Sequence, residues 1–174
     1  MHRSVVLGLL LLAGCNQGGE PVPEITGTQD LEVTSRAFSE GDRIPTEYTC
    51  DGDDVAPALS WSSVDGAAQY AIAVTDPDAP GGTFLHWLAY GIPGETNELP
   101  KGEVPSGATQ LANDFGNAGY AGPCPPAGKP HRYIFTVYAL SSPAAESDLD
   151  ARAWLDSVKE DVIASGELTG TYSR

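Results

Sequence analysis

The segment from Tyr133 to Leu140, reading Tyr-Ile-Phe-Thr-Val-Tyr-Ala-Leu, is apolar at nearly every position. A strand with one face in water alternates apolar and polar residues, so a run this uniform belongs to a strand covered on both faces. The chain must therefore build layers on either side of a central strand. Other short β-prone runs, bounded by Gly, Pro and Asp, are Leu31 to Ser35, Ala58 to Trp61, Tyr70 to Thr75 and Trp87 to Ile92. Together they predict a mainly β domain, either a β-sandwich or a large twisted antiparallel sheet. One helix is expected from Asp148 to Ala164, with Ala151, Trp154, Leu155, Val158 and Val162 on one side, Ser147 or Asp148 as N-cap, and Gly166 as its stop. The tail Glu167 to Tyr172 then alternates like a final strand. With 174 residues the chain fits one such domain.

The N-terminus carries a different signal. Val5 to Leu12 is an apolar run too short to span a bilayer, preceded by Arg3, and it reads as the hydrophobic part of an export signal. The following Leu12-Ala13-Gly14-Cys15 resembles a bacterial lipobox. We therefore expect residues 1–14 to be a removable signal peptide, Cys15 to be lipid-modified, residues 15–30 to be a flexible tether, and the folded domain to occupy residues 31–174. The chain would then sit in the cell envelope, facing the periplasm from the outer membrane in a Gram-negative host. Removing Arg3 with the signal leaves 8 basic residues against 24 acidic ones, a formal charge of −16 against −15 for the whole chain. That balance disfavours nucleic acid as a partner and leaves the lipid, rather than a basic patch, as the link to a membrane. With Cys15 acylated, Cys50 and Cys124 remain. An exported compartment favours a disulfide between them, with two buried thiols as the alternative. No CxxC pair suggests a metal.

Two segments about forty positions apart hold the chemistry: Asp76-Pro77-Asp78-Ala79-Pro80 leading to His86-Trp87, and Gly119 to Gly128 leading to His131-Arg132-Tyr133. A strand ending at Thr75 delivers Asp76 and Asp78 to the sheet edge, where Pro77 and Pro80 cannot continue a ladder. His86 is placed just before one strand and His131 just before another, so the four converge if those strands are neighbours. A carboxylate bonded to one imidazole nitrogen fixes the tautomer and leaves the other nitrogen for an anion. Lys129 and Arg132, beside His131, add local positive charge to an acidic chain. The loop from Gly119 to Gly128 combines glycines that allow close approach with Pro123, Pro125 and Pro126, which stiffen it. The backbone N–H of Gly122 or Cys124 is a further candidate donor.

These motifs resemble the phosphatidylethanolamine-binding protein family, in its bacterial Raf-kinase-inhibitor-like branch. The resemblance rests on DPDAP, the His86-Trp87 pair, NDFG at Asn113 to Gly116 and GYAGPCPP followed by HRYIFTVYAL. It extends to IPTEYTCDG at Ile44 to Gly52 and GELTGTYSR at the C-terminus. It implies a large central antiparallel sheet packed on a smaller sheet, with a few peripheral helices including one near the C-terminus. It also implies a small pocket walled by Asp76, Pro77, Asp78, His86, Gly122, Pro125, Pro126, His131 and Tyr133, with Tyr120 at its mouth. Family members accept phosphate, acetate and phosphoethanolamine groups there, so the expected partner is a small anionic or zwitterionic ligand, bound without cofactor, metal or catalysis.

Two other readings compete. Asp76, Asp78, His86 and His131 are a donor set that a zinc hydrolase would use, but no HExxH or GxSxG motif accompanies them. A protein-inhibitor module would instead engage a protease or kinase through the pocket rim. The Gly122 to Lys129 segment fails as a nucleotide loop, because its prolines lack N–H donors and Pro130 replaces Ser or Thr. Asp51-Gly52-Asp53-Asp54 lacks the spacing of a calcium loop and reads as a turn.

Overall fold

The computed structural model describes residues 21–144 and 148–174. Its strands are β1 (Gln29–Asp30), β2 (Val33–Ser35), β3 (Leu59–Trp61), β4 (Gln69–Asp76), β5 (Phe84–Pro93), β6 (Glu98–Leu99), β7 (Thr109–Gln110), β8 (His131–Leu140) and β9 (Val162–Tyr172), with one helix, α1 (Ala151–Val158). Six strands form the large sheet in the order β1-β9-β8-β4-β5-β7, and β2-β3-β6 form the small one. The uniformly apolar run is β8, held between β9 and β4.

Its composition follows from what lies on each face. Tyr133, Phe135, Val137 and Ala139 point to a core shared with the small sheet, where Val33, Leu59, Trp61 and Leu99 close the layer. Tyr138 and Leu140 point the other way, toward Trp154, Leu155 and Val158 of α1. Both sides of the pleat are thus dry, and each fully buried Leu, Val or Phe contributes about 1.5–3 kcal/mol. Tyr90 of β5 stacks on Trp154 at 4.4 Å between ring centroids, fixing the helix to the sheet.

Three expectations change. The large sheet is mixed, not purely antiparallel, because β1 runs parallel to β9 with Gln29 opposite Ala164. The second half of the expected tether is part of the fold: Ile25 is buried in the α1-side core, and the Gly27 N–H donates to Ser165 Oγ at 3.0 Å. The segment is held by an apolar anchor and a strand edge that its Gly, Pro and Glu content conceals. Cys15 and the lipobox lie outside the described residues.

The helix is shorter than its periodicity suggests. Asp150 is the N-cap, accepting from the Ala153 N–H at 2.9 Å; Ser147 also lies outside the described residues. The 3-10 turn Lys159–Asp161 then reverses the chain, and Val162 and Ala164 pair with Leu140 and Ala139. Val162 fits both a helical and an alternating pattern, and pairing with β8 decides between them. Gly166 consequently ends no helix. It lies within β9 against the Leu31 carbonyl, where a Cβ would collide with that oxygen.

Candidate functional site

Asp76 closes β4 on the same parity as Tyr70, Ile72 and Val74, which face the small sheet. His131 opens β8 on the parity of Tyr133 and Phe135, and Val74 pairs with Phe135, so both residues reach the same end of the same face. There His131 Nδ1 donates to Asp76 Oδ2 at 2.7 Å. A carboxylate oxygen accepts, so the Nδ1 proton is fixed and Nε2 is left for another partner. The second oxygen, Asp76 Oδ1, accepts from the Asp78 N–H at 2.8 Å, so both oxygens of this buried carboxylate are engaged.

His86 arrives differently from the sequence expectation. It lies inside β5, at a bulge: Val74 pairs with Trp87 and Thr75 with Leu85, leaving His86 as the extra residue. Such an insertion re-aims one side chain while the ladder continues. The ring packs against Tyr133, Phe84 and Phe115, at centroid distances of 5.2, 5.0 and 5.6 Å. Nδ1 donates to the Ala121 carbonyl at 2.7 Å. Burial pushes the imidazole below its ordinary value, against the opposing pull of the Ala121 carbonyl and of Asp76, and the neutral ring presents Nε2 as an acceptor.

Tyr133 is fully buried, and its hydroxyl makes no well-formed hydrogen bond, although the Asp76 carboxylate and the Cys124 backbone lie beside it. Burial and the charge of nearby Asp76 push it well above an ordinary phenol, so it remains a neutral donor. A buried hydroxyl without such a bond is uncommon and calls for an explanation.

The loop after Gly119 is pinned from below. Cys124 is disulfide-bonded to Cys50, with Cα atoms 5.4 Å apart, and the Cys50 N–H donates to the Pro123 carbonyl at 3.2 Å. Gly122 lies so close to Tyr48 and Thr49 that a Cβ would meet the Tyr48 carbonyl and the Thr49 backbone. Its N–H donates to Asp54 Oδ1 at 2.6 Å and is therefore not open to a ligand. Asp54 itself has φ of 55°, a left-handed conformation that Asp tolerates better than most residues. The turn read at Asp51 to Asp54 thus carries a residue that shapes the site.

Other expected site residues take supporting positions. Asp78 forms a two-pronged ion pair with Arg132, Oδ2 to Nε at 2.9 Å and Oδ1 to Nη2 at 2.7 Å, and its carboxyl is held at about 2 by those hydrogen bonds. This removes Arg132 as a free cation and Asp78 as a free carboxylate. Tyr120 does not offer its hydroxyl at a mouth: it donates to the Tyr48 carbonyl at 2.8 Å while the ring stands edge-on to Trp87. Pro125 is buried and Pro126 exposed, while Pro77 turns toward a hollow on the opposite sheet face, beside Ile25 and Ile134. Among the described residues no three of His, Cys, Asp and Glu are grouped to hold a metal.

Four contributors escaped sequence reasoning: Asp54, the Ala121 carbonyl, Phe84 and Phe115. Phe115 left a trace, since a phenylalanine in the polar Asn113 to Asn117 turn invites a reason. Asn113 organises that turn by accepting from the Phe115 and Asn117 N–H groups and donating to the Gly119 carbonyl. Asp114 then clasps Arg152 at 2.6 and 2.7 Å and caps the start of β5 through the Leu85 N–H.

Comparison with known proteins agrees with this architecture. Residues 34–173 match the family model described as phosphatidylethanolamine-binding protein. A UPF0098 protein of Aquifex aeolicus is 43% identical over 155 residues, covering 83% of this chain and 89% of that one. A Mycobacterium tuberculosis protein named as a candidate lipoprotein, LppC, is 35% identical over 99% of this chain and 97% of its own. Among solved structures, Escherichia coli YbcL, described as a member of the mammalian PEBP family, superposes with a TM-score of 0.77 at 35% identity, covering 83% of this chain and 98% of that one. The Chlamydia trachomatis homologue CT736 gives 0.78 at 34% identity, covering 84% and 99%. On its motifs, its two-sheet fold and these matches, the chain belongs to the phosphatidylethanolamine-binding protein family.

Proposed function

We propose that this chain is a non-catalytic, lipid-anchored envelope protein that binds a small phosphorylated or carboxylated ligand between His86, His131 and Tyr133. The observation that carries this reading is the Tyr133 hydroxyl: buried, protonated and without a well-formed hydrogen bond, beside two histidines whose Nδ1 protons are each committed elsewhere. Three groups are thereby left for one ligand, the two Nε2 atoms and a phenolic O–H. Asp76 and Ala121 set the tautomers. Asp78 acts through Arg132 and the backbone at residue 132, not by contact with the ligand. A phosphoethanolamine head group would place its phosphate inward and its ammonium at the rim, since Asp76 and Asp78 are both engaged.

Calorimetry on the chain from residue 16, titrated with inorganic phosphate and with O-phosphorylethanolamine from pH 5 to 8, tests the reading. Saturable binding that weakens toward pH 8 and is lost in His131→Ala is expected. A folded wild-type domain that takes up neither ligand at millimolar concentration would overturn it, and would leave recognition of a protein through the rim as the better account.

A further inference from the structure

Several features meet at the end of the large sheet that carries Asp76 and His131. The described chain enters there, with Pro21 and Pro23 lining one hollow together with Arg152, Ala153 and Asp156 of the first turns of α1. Arg152 is clasped to Asp114, which directly precedes Phe115. Among the described residues, Phe115 and Leu149 are the two large apolar side chains left exposed, at 50% and 42%. Leu149 directly precedes the Asp150 N-cap of α1. Between the two turns lies an open hollow of about 730 Å³, lined by Gly82, Phe84, Asn113, Asp150 and Arg152 among others.

Chain length then limits the geometry. Ile25 and the β1–β9 pairing hold the segment after Pro21 to the sheet. Only six residue steps separate Pro21 from Cys15, and whatever their conformation they reach at most about 20 Å. We propose that this end of the molecule is a membrane-apposed surface, with Phe115 and Leu149 resting on the lipid interface and the His86 side of the site opening toward the bilayer. The inference rests on acylation of Cys15 and goes beyond ligand binding. Its partner is a lipid surface, and not specifically an anionic one: an acidic domain gains nothing from anionic head groups, so contact depends on the short anchor and apolar side chains. The anchor keeps the bilayer at high effective concentration, so two side chains that would not bind alone are enough.

The test uses the chain acylated at Cys15 on phosphatidylcholine vesicles with brominated acyl chains, which quench tryptophan on contact. The native Trp61, Trp87 and Trp154 are buried and give a common background. Reporters are Phe115→Trp, Leu149→Trp and, as control, Glu95→Trp. Glu95 is exposed just beyond the other end of β5, roughly 30 Å from Phe84 by strand rise. Quenching at 115 and 149 about three-fold or more above that at 95 is expected, with circular dichroism checking each fold. Equal quenching at all three, or none at 115 and 149, overturns the orientation, as does a concentration-dependent blue shift without vesicles, which would show a second copy on this face. Mass spectrometry of Cys15 from cell membranes separates the cases: an unmodified cysteine removes the anchor, whereas an acylated one without selective quenching refutes only the surface.

Discussion

Replacing Tyr133 by Phe should move stability and affinity in opposite directions. The phenol ring is part of the inter-sheet core and its hydroxyl makes no well-formed hydrogen bond, with Asp76 and the Cys124 backbone as its polar neighbours. A buried polar group left unsatisfied costs about 1–3 kcal/mol, so its removal should stabilise the free protein by about 1 kcal/mol or more. For a domain of this size that raises Tm by roughly 2–4 °C for each kcal/mol. In the proposed site the same hydroxyl would donate to a bound anion, where a hydrogen bond to a charged group is worth about 1.5–3 kcal/mol, or roughly ten- to a hundred-fold in affinity. Thermal and urea unfolding of the unliganded chain, paired with phosphate calorimetry, measures both. A purely structural tyrosine would lose stability and leave affinity alone. Destabilisation by more than about 1 kcal/mol would mean that the hydroxyl is bonded in the free protein. Unchanged affinity would mean that it does not face the ligand. Either result refutes the reasoning.

Other consequences follow from the same contacts. Burial lowers the His86 pKa, so the unfolded chain takes up this proton first. The associated stability is present above about pH 6.5 and is lost as pH falls toward the folded value, a slope that His86→Gln should flatten in urea titrations. Asp78, at about 2 in the fold, contributes stability that is present above the ordinary carboxylate value and lost as pH falls from about 4 toward 2. Because the pair with Arg132 is solvent-exposed, Arg132→Ala should lower the urea midpoint only slightly at neutral pH, and both it and Asp78→Asn should reduce the acid sensitivity of the midpoint between pH 4 and 2. The Cys50–Cys124 bridge spans 74 positions, so replacing both cysteines by Ser should cost about 4 kcal/mol on the loop-entropy account. Chemical denaturation under oxidising conditions reads that loss directly.

The layered β fold was legible because burial on both faces leaves an unmistakable composition in β8, and because Gly, Pro and Asp punctuate the other strands. Ends were harder. Val162 and Ala164 satisfy helical and alternating periodicities at once, and only their long-range pairing with Leu140 and Ala139 places them in β9. The residues drawn into the site by pattern were visible as a set of chemical types, but their division of labour was not. Which carboxylate serves a histidine and which an arginine depends on strand register and on one bulge, neither of which the local sequence encodes. Asp54 was hidden for a similar reason: its role is a contact across 68 positions with a backbone N–H.

The pairings around the site also bear on which anions the proposed pocket would select. His131 is matched by Asp76, Arg132 by Asp78, Arg152 by Asp114 and the Gly122 N–H by Asp54, so these four donors each bring their own carboxylate and add little standing positive charge. Near neutral pH the buried His86 Nε2 is an acceptor. A ligand that carries a proton can donate it there and accept from Tyr133, whereas one without a proton must draw His86 into its charged form against the cost of burial. Phosphate monoesters, whose second pKa is about 6, keep a shareable proton near neutrality. Sulfate does not. Phosphate should therefore bind about ten-fold or more tightly than sulfate at pH 7, the gap of one such hydrogen bond, and the difference should narrow at whatever lower pH protonates His86. Competition calorimetry at pH 7 and below decides the point: equal affinities at pH 7 would mean that fixed positive charge, not a shared proton, holds the anion.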